Sequence, residues 1–127
     1  MVKVRWQVAF IDVDTRPGLA RRFLGFLRPG FRHCLAFREI GGGLLIVQTT
    51  VARIQADWFP GVSEQDYLDE LIEKGARIEL LETEVDDVCY VPRVTTCVEL
   101  VRGLAGWPSR FQTPAGLCAE IRRRRIN

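Results

Sequence analysis

Residues 94–101 read Val-Thr-Thr-Cys-Val-Glu-Leu-Val, and this stretch predicts the start of a helix. Thr96 followed three residues later by Glu99 is the capping-box pattern, in which each side chain accepts a hydrogen bond from the other residue's backbone N–H. Thr96 is therefore the expected N-cap, and Cys97 is the expected first helical residue. Because the N-terminal end of a helix is positive, we expect the pKa of Cys97 to fall below that of an ordinary thiol.

The composition is that of an ordinary globular protein. The chain has 127 residues, of which 47% are hydrophobic and 27% charged, so we expect a single domain over residues 1–127. A net charge of +2 is too small to predict nucleic-acid binding. The sequence has no apolar run of the roughly 20 residues that a membrane span needs. It also lacks a signal-peptide pattern, so the expected location is the cytoplasm.

The four cysteines do not form a metal-binding or disulfide pattern. No pair has the spacing of a zinc knuckle, and the chain is not a small secreted scaffold. We therefore predict four free thiols and neither a metal nor any other cofactor. The cysteines are Cys34, Cys89, Cys97 and Cys118.

Alternation and β-forming residues predict most of a sheet. The predicted strands are 6–13, 31–39, 44–52 and 76–85, with a short extended piece at 88–91. Gly41-Gly42-Gly43 joins the second and third strands as a hairpin. The continuous apolar run that follows this turn predicts a strand covered on both faces. Residues 57–61 are expected to form a loop that carries Trp58 and Phe59.

Helix signals occur between and after these strands. The predicted helices cover 14–28, 63–75, 97–105 and the segment from Thr113, with Pro114 at the first position of the last one. The resulting order is β-α-β-β-α-β-α-α. It favours an α+β domain in which a central, mainly antiparallel sheet packs against the helix that carries Cys97.

His33 is the only imidazole in the sequence and lies near the start of a predicted strand. A thiol hydrolase needs a thiolate, a histidine within hydrogen-bond reach and donors for the oxyanion. Cys97 has the position of the nucleophile, and its own backbone N–H is a free donor in the first helical turn. Cys34 falls on the other face of the strand from His33, which predicts a structural role for it.

These residues resemble a known group of proteins. The motifs are Gly30-Phe31-Arg32-His33-Cys34 before a glycine hairpin, Thr96–Val101, and Thr113-Pro114 at the start of a final helix. They are similar to those of the circularly permuted papain-like families, which include permuted NlpC/P60 proteins, and small phage and prophage proteins show a similar pattern. In the permuted branch the histidine strand precedes the cysteine helix, as it does here. The resemblance covers residues 30–50 and 94–121.

The resemblance implies a cysteine hydrolase, an amidase, peptidase or related acyl hydrolase, with Cys97 as nucleophile and His33 as base. It also implies a third polar residue on the strand after the histidine, where Gln48, Thr49 and Thr50 stand. Gln48 is the first choice because its amide oxygen can accept from the imidazole. Thr50 is the alternative, since the register of the hairpin is open. The other candidate function is a non-catalytic, phage-type accessory or assembly protein that keeps the fold.

Structural interpretations stand beside these assignments. A cysteine in an apolar helix is commonly a small buried hydrophobe, and a strand histidine or glutamine is commonly structural. The same holds for the remaining cysteines, Cys89 and Cys118 included. Three loop aromatics either line a cleft or cover the core, namely Trp58, Phe59 and Trp107. The Arg122–Arg125 run is expected to be a solvated helix end, with binding to phosphates or an acidic partner as the other reading.

Overall fold

The computed structural model describes residues 2–12, 33–50, 53–85, 96–108, 110 and 112–126. The strands are β1 (Val2–Ile11), β2 (His33–Ile40), β3 (Gly43–Thr50), β4 (Arg53–Pro60) and β5 (Arg77–Val85). The helices in these ranges are α1 (Glu64–Glu73), α2 (Cys97–Leu104) and α3 (Pro114–Ile126). The predicted helix at 14–28, the extended piece at 88–91 and Cys89 lie outside the described residues.

The strands form one sheet in the order β4-β3-β2-β1-β5, and every neighbouring pair is antiparallel. The first four strands follow one another as a meander. Helix α1 then takes the chain from β4 at one edge of the sheet to β5 at the other edge. The prediction of an α+β fold with an antiparallel sheet is confirmed.

Both faces of the sheet are covered by helices. On one face, alternate residues of the central strands pack against α2 and α3. Val8, Cys34 and Val47 form one hydrophobic cluster there with Val98 of α2 and Leu117 of α3. On the other face, Leu35, Phe37, Leu44 and Ile46 pack with Leu71 of α1. Burial on both faces explains the continuous apolar run of β3, as its sequence predicted.

The hairpin between β2 and β3 closes through two residues. Gly41 and Gly42 have φ angles of 61° and 77°, the left-handed conformation that a two-residue hairpin turn requires. Gly43 already pairs with Ile40, and a Cβ at Gly43 would lie 2.6 Å from the Trp58 ring. The third glycine is therefore needed for close packing, whereas the first two form the turn.

The prediction of a loop at residues 57–61 is wrong. The chain from Arg53 to Pro60 forms the edge strand β4, paired with β3 from Thr50 to Gly43. Its sequence lacks a strand signal because an edge strand with largely exposed side chains tolerates Asp57 and a terminal proline.

The Arg122–Arg125 run is an exposed helix end, as the sequence predicted, but it also makes specific contacts. These residues belong to α3, and Arg122 and Arg125 contact the carboxylate of Glu79 at 3.4 and 3.1 Å. Glu79 lies on β5 with a side chain only 4% exposed. The arginines therefore compensate a buried charge on the sheet.

A buried ion pair joins α2 to α3. Arg102 Nη1 lies 2.7 Å from Glu120 Oε1, and Arg124 Nε lies 2.9 Å from Glu120 Oε2. Burial tends to raise the pKa of Glu120, but hydrogen bonds from Gln112, Arg102 and Arg124 outweigh it and lower the pKa to about 2. This network ties α2, whose first residue is Cys97, to α3. Among the described residues, no helix is both long and apolar enough to cross a membrane.

Candidate active site

Cys97 is the first residue of α2, as predicted. The hydroxyl of the N-cap Thr96 accepts a hydrogen bond from the backbone N–H of Glu99 at 3.1 Å, which is one half of the expected capping box. The Glu99 carboxylate has a different partner from the predicted one, since its Oε1 accepts from the backbone N–H of Arg110 at 3.1 Å. The cap thus fixes the helix start, and Glu99 also holds the segment that follows α2.

His33 is the first residue of β2 and is held by Gln48 of β3. Its Nε2 lies 3.3 Å from Gln48 Oε1, and its side chain is buried, with a residue exposure of 6%. An amide oxygen only accepts, so this contact places the proton of a neutral imidazole on Nε2. The side chain of Thr50, the alternative third residue, is outside what the structure describes.

The β2–β3 ladder explains how Gln48 reaches the imidazole. In the described residues this ladder runs from the turn to the Ala36–Val47 pair and stops, although both strands continue. If the pairing continued, Thr50 would lie opposite His33, with Gln48 diagonal to it on the same face. A long side chain at the diagonal position spans the opening between the strands.

Cys97 packs against the hydrophobic cluster that includes Cys34 of β2. Hydrogen bonding to the Cys34 thiol, the His33 ring and the Cys34 backbone N–H lowers the pKa of its thiol. His33 and Cys34 are successive residues of β2, so their side chains belong to opposite faces of the sheet.

The pKa of Cys97 is about 4. The largest cause is the hydrogen bond from the Cys34 thiol, and burial acts in the opposite direction. The His33 ring lowers the pKa further through a hydrogen bond and its positive charge, and the Cys34 N–H adds to this. The same contact, together with burial, raises the pKa of Cys34 well above its ordinary value. Cys97 is therefore the thiolate of the pair, and Cys34 is the hydrogen-bond donor.

Sequence reasoning missed Cys34 as a neighbour of the candidate nucleophile. The predicted alternation along β2 is right, since Cys34 and Leu35 belong to different core clusters. Both Cys34 and His33 nonetheless lower the pKa of Cys97, although their side chains belong to different faces of β2. No sequence signal shows where a ladder between two strands ends.

The predicted residues Cys97, His33 and Gln48 thus come together at one end of the sheet. Trp58 and Phe59 do not join them, since they pair with Leu45 and Leu44 near the turn. The Trp107 ring contacts the guanidinium groups of Arg102 and Arg124, which lie 5.5 and 4.2 Å from the ring centroid.

The arrangement contains the groups of a nucleophile with its base. A half-buried thiolate, a hydrogen-bonded imidazole and an amide that orients the ring are in contact. The backbone N–H groups of Cys97 and Val98 are in the first turn of α2, where no helical carbonyl is available to them. The part of the chain that the structure describes has no group of three or more acidic, cysteine or histidine side chains suited to a metal ion.

Comparison with known proteins assigns no family to the chain, since no protein-family model, curated protein or solved structure gave a significant match.

Proposed function

We propose that this chain is a cysteine hydrolase of the permuted papain-like type, acting on an amide, peptide or related acyl bond. The observation that carries the proposal is the contact of one sulfur with the His33 ring, at a helix start, with a pKa of about 4. The Gln48 amide supports it, because its oxygen lies 3.3 Å from Nε2 of the same ring. The order of the elements, with the strand of His33 before the helix of Cys97, is that of the permuted branch.

In the first half of the reaction, the Cys97 thiolate attacks the carbonyl carbon of the substrate and forms a C–S bond. The negative charge moves to the carbonyl oxygen, which the free N–H groups at the start of α2 stabilise. With Nε2 directed at Gln48, Nδ1 is the His33 nitrogen available to Cys97 and the substrate. Its proton passes to the leaving amine or alcohol as the bond to the carbonyl carbon breaks.

In the second half, water attacks the thioester while His33 takes its proton at Nδ1. The C–S bond breaks, the acid is released, and the thiolate and imidazolium are restored. Gln48 accepts the Nε2–H throughout, which keeps the same ring nitrogen toward the reaction in both halves. The residue is thus proposed to position the base without contacting the substrate.

The test is to trap the acyl-enzyme with p-nitrophenyl acetate. The proposal expects release of p-nitrophenol and a protein heavier by one acetyl group, with that group on the Cys97 peptide. Cys97→Ser and His33→Ala should not accumulate this species. The control Cys118→Ser should behave like the wild type, because the Cys118 thiol is hydrogen-bonded to Glu79, at 3.8 Å, instead. Acetylation that is absent, or equal at several cysteines, would contradict the proposal.

A second candidate is the non-catalytic accessory protein that the sequence left open. It is favoured by the exposure of Trp58 and Phe59 on the edge strand β4, at 50% and 44%, since exposed aromatics are common where proteins bind one another. On this alternative Cys97 is a structural thiol, and the acetylation experiment fails.

A further inference from the structure

The outer edge of β4 is open to another strand. Within the described residues β4 pairs with β3 alone, and the helices pack mainly on other strands, α1 on β2 and β5, α2 on β2 and β3, and α3 on β5. The strand exposes large apolar side chains, Ile54, Trp58 and Phe59, at 45%, 50% and 44%. Edge strands of globular proteins are usually protected by lysines, bulges or a covering segment. From Ile54 to Phe59 the strand has no lysine and pairs with β3 without a bulge.

The ladder between β3 and β4 shows which backbone groups face outward. Hydrogen-bonded and non-bonded residue pairs alternate along an antiparallel ladder. The backbone N–H of Gly61 donates to the carbonyl of Gly42 at 3.0 Å, in register with this ladder. The odd-numbered residues of β4 therefore bond to β3. The even-numbered residues Ile54, Ala56 and Trp58 direct their N–H and C=O groups away from the sheet.

We propose that a second copy of this chain pairs with this edge, with the two β4 strands antiparallel about a two-fold axis at Ala56. Identical strands related by such an axis place one residue opposite itself. With Ala56 in that position, Ile54 of each copy lies opposite Trp58 of the other, and the outward N–H and C=O groups of these residues are all paired. The two sheets become one. The dimer goes beyond the proposed hydrolysis and does not depend on it.

The apolar side chains of the paired strands match. Ile54, Ala56 and Trp58 lie on the same face of the sheet, because side chains alternate along a strand. Trp58 is already held in place, since its Nε1 donates to the Ile40 carbonyl at 3.1 Å and its ring lies against Gly43. In the dimer, Ile54 of the second copy covers this ring, and a β-branched residue opposite an aromatic one is a favourable cross-strand pair. The small side chain of Ala56 leaves room for both contacts.

The polar side chains on the other face have complementary charge. Within one chain, Gln55 Nε2 donates to Asp57 Oδ2 at 2.6 Å, and the amide carries a second N–H. About an axis at Ala56, Gln55 of each copy lies opposite Asp57 of the other. Each carboxylate therefore meets an N–H donor of the second copy rather than a second negative charge.

The neighbouring two-fold registers fit less well. An axis at Asp57 would place two carboxylates opposite each other, which is unfavourable, and would bring Pro60, which has no N–H, into the ladder. An axis at Gln55 would place Trp58 beyond the end of the partner strand, where its ring stays exposed. Charge and apolar contact therefore both select Ala56.

The test is sedimentation velocity of the full chain between about 1 µM and about 1 mM, because pairing of one short strand is a small interface and gives a weak dimer. The wild type should pass from the mass of one chain to that of two, and no further. Ala56→Lys places two ammonium groups opposite each other and should weaken dimerisation by at least about 10-fold. The matched control is Ile72→Lys, which changes a 51% exposed residue of α1 and should dimerise like the wild type.

A second variant reports the register. In Ala56→Cys, oxidation should join the introduced thiols of two copies, because opposite residues of a ladder have Cα atoms about 5.5 Å apart, whereas Ile72→Cys should not cross-link. This measurement decides if Ala56→Lys does not fold. A wild type that stays monomeric throughout the range, a dimer unchanged in Ala56→Lys, or masses above two chains would overturn the proposal. Cys97→Ser should dimerise like the wild type, so a failure of pairing is distinguishable from a failure of hydrolysis.

Discussion

His33 Nε2 lies 3.3 Å from Gln48 Oε1 across an opening where β2 and β3 no longer pair. This opening gives the imidazole a partner on the neighbouring strand. The same imidazole lowers the pKa of Cys97. The candidate site is therefore a consequence of strands that separate at one end and are held at the other by a glycine turn.

Replacing Gln48 tests its proposed positioning role. Gln48→Ala removes the acceptor that keeps the Nε2 proton in place, so we expect esterase activity to fall by about 10-fold or more, with a smaller effect on unfolding free energy, about 1 kcal/mol. Gln48→Glu keeps an acceptor and should retain more activity than Gln48→Ala. Activity equal to wild type in Gln48→Ala would show that the amide does not position His33.

Replacing Cys34 tests the largest cause of the low pKa at Cys97. Cys34→Ala removes the thiol donor but keeps the backbone N–H, so the pKa of Cys97 should rise from about 4. When the rate of carboxymethylation of Cys97 is measured against pH, the rate should begin to rise at a higher pH than in the wild type. Cys34→Ser restores a hydrogen-bond donor at the same place and should lower the pKa of Cys97 part of the way back. An acid limb unchanged in Cys34→Ala would mean that the thiol donor has no role.

Glu120 predicts an acid limit to stability. Its pKa is about 2 in the folded protein and about 4.3 when unfolded, so its contribution is complete above the unfolded value and is lost as the pH falls through the folded one. The contribution is on the order of 2–3 kcal/mol. The free energy of unfolding of the wild type, measured with urea, should fall as the pH is lowered from about 5 to about 2. Glu120→Gln should be less stable at neutral pH and should lose less over this range; parallel curves for the two proteins would contradict the assignment.

Removal of residues 122–127 should destabilise the fold. It takes away two of the arginines around the buried Glu79 and the Arg124–Glu120 contact. Because these arginines are about half exposed, we expect a loss of about 2 kcal/mol rather than the larger cost of a fully buried pair. In a Glu79→Gln background the same truncation should cost less, since the charge to be compensated is gone. Equal costs in both backgrounds would show that the arginines do not act through Glu79.

The sequence predicted the parts of the site that depend on local pattern. Thr96 and Glu99 mark a helix start three residues apart, and this placed Cys97 correctly at the first helical position. Alternation placed Leu35 and Phe37 on one face and Cys34 on the other. Both signals come from neighbouring residues, whose geometry is set by one helix or one strand.

The parts that were missed depend on contacts between distant segments. Three consecutive glycines permit more than one turn length, so the partner of His33 in β3 was left open between Gln48 and Thr50. The end of the β2–β3 ladder at the Ala36–Val47 pair is likewise a property of two strands together, and neither strand shows it alone. The same is true of Glu79, whose burial on β5 determines the role of the arginines in α3.

The measurement that tests the account most directly is competitive alkylation of the native protein with iodoacetamide at about pH 6, followed by peptide mapping. With a pKa of about 4, Cys97 is almost fully thiolate at this pH, while an ordinary thiol is not. The account predicts selective labelling of Cys97, no change in Cys118→Ser, and a loss of at least about 10-fold in His33→Ala, because the cation beside the sulfur is removed. Uniform labelling of the cysteines, or selective labelling that persists unchanged in His33→Ala, would contradict it.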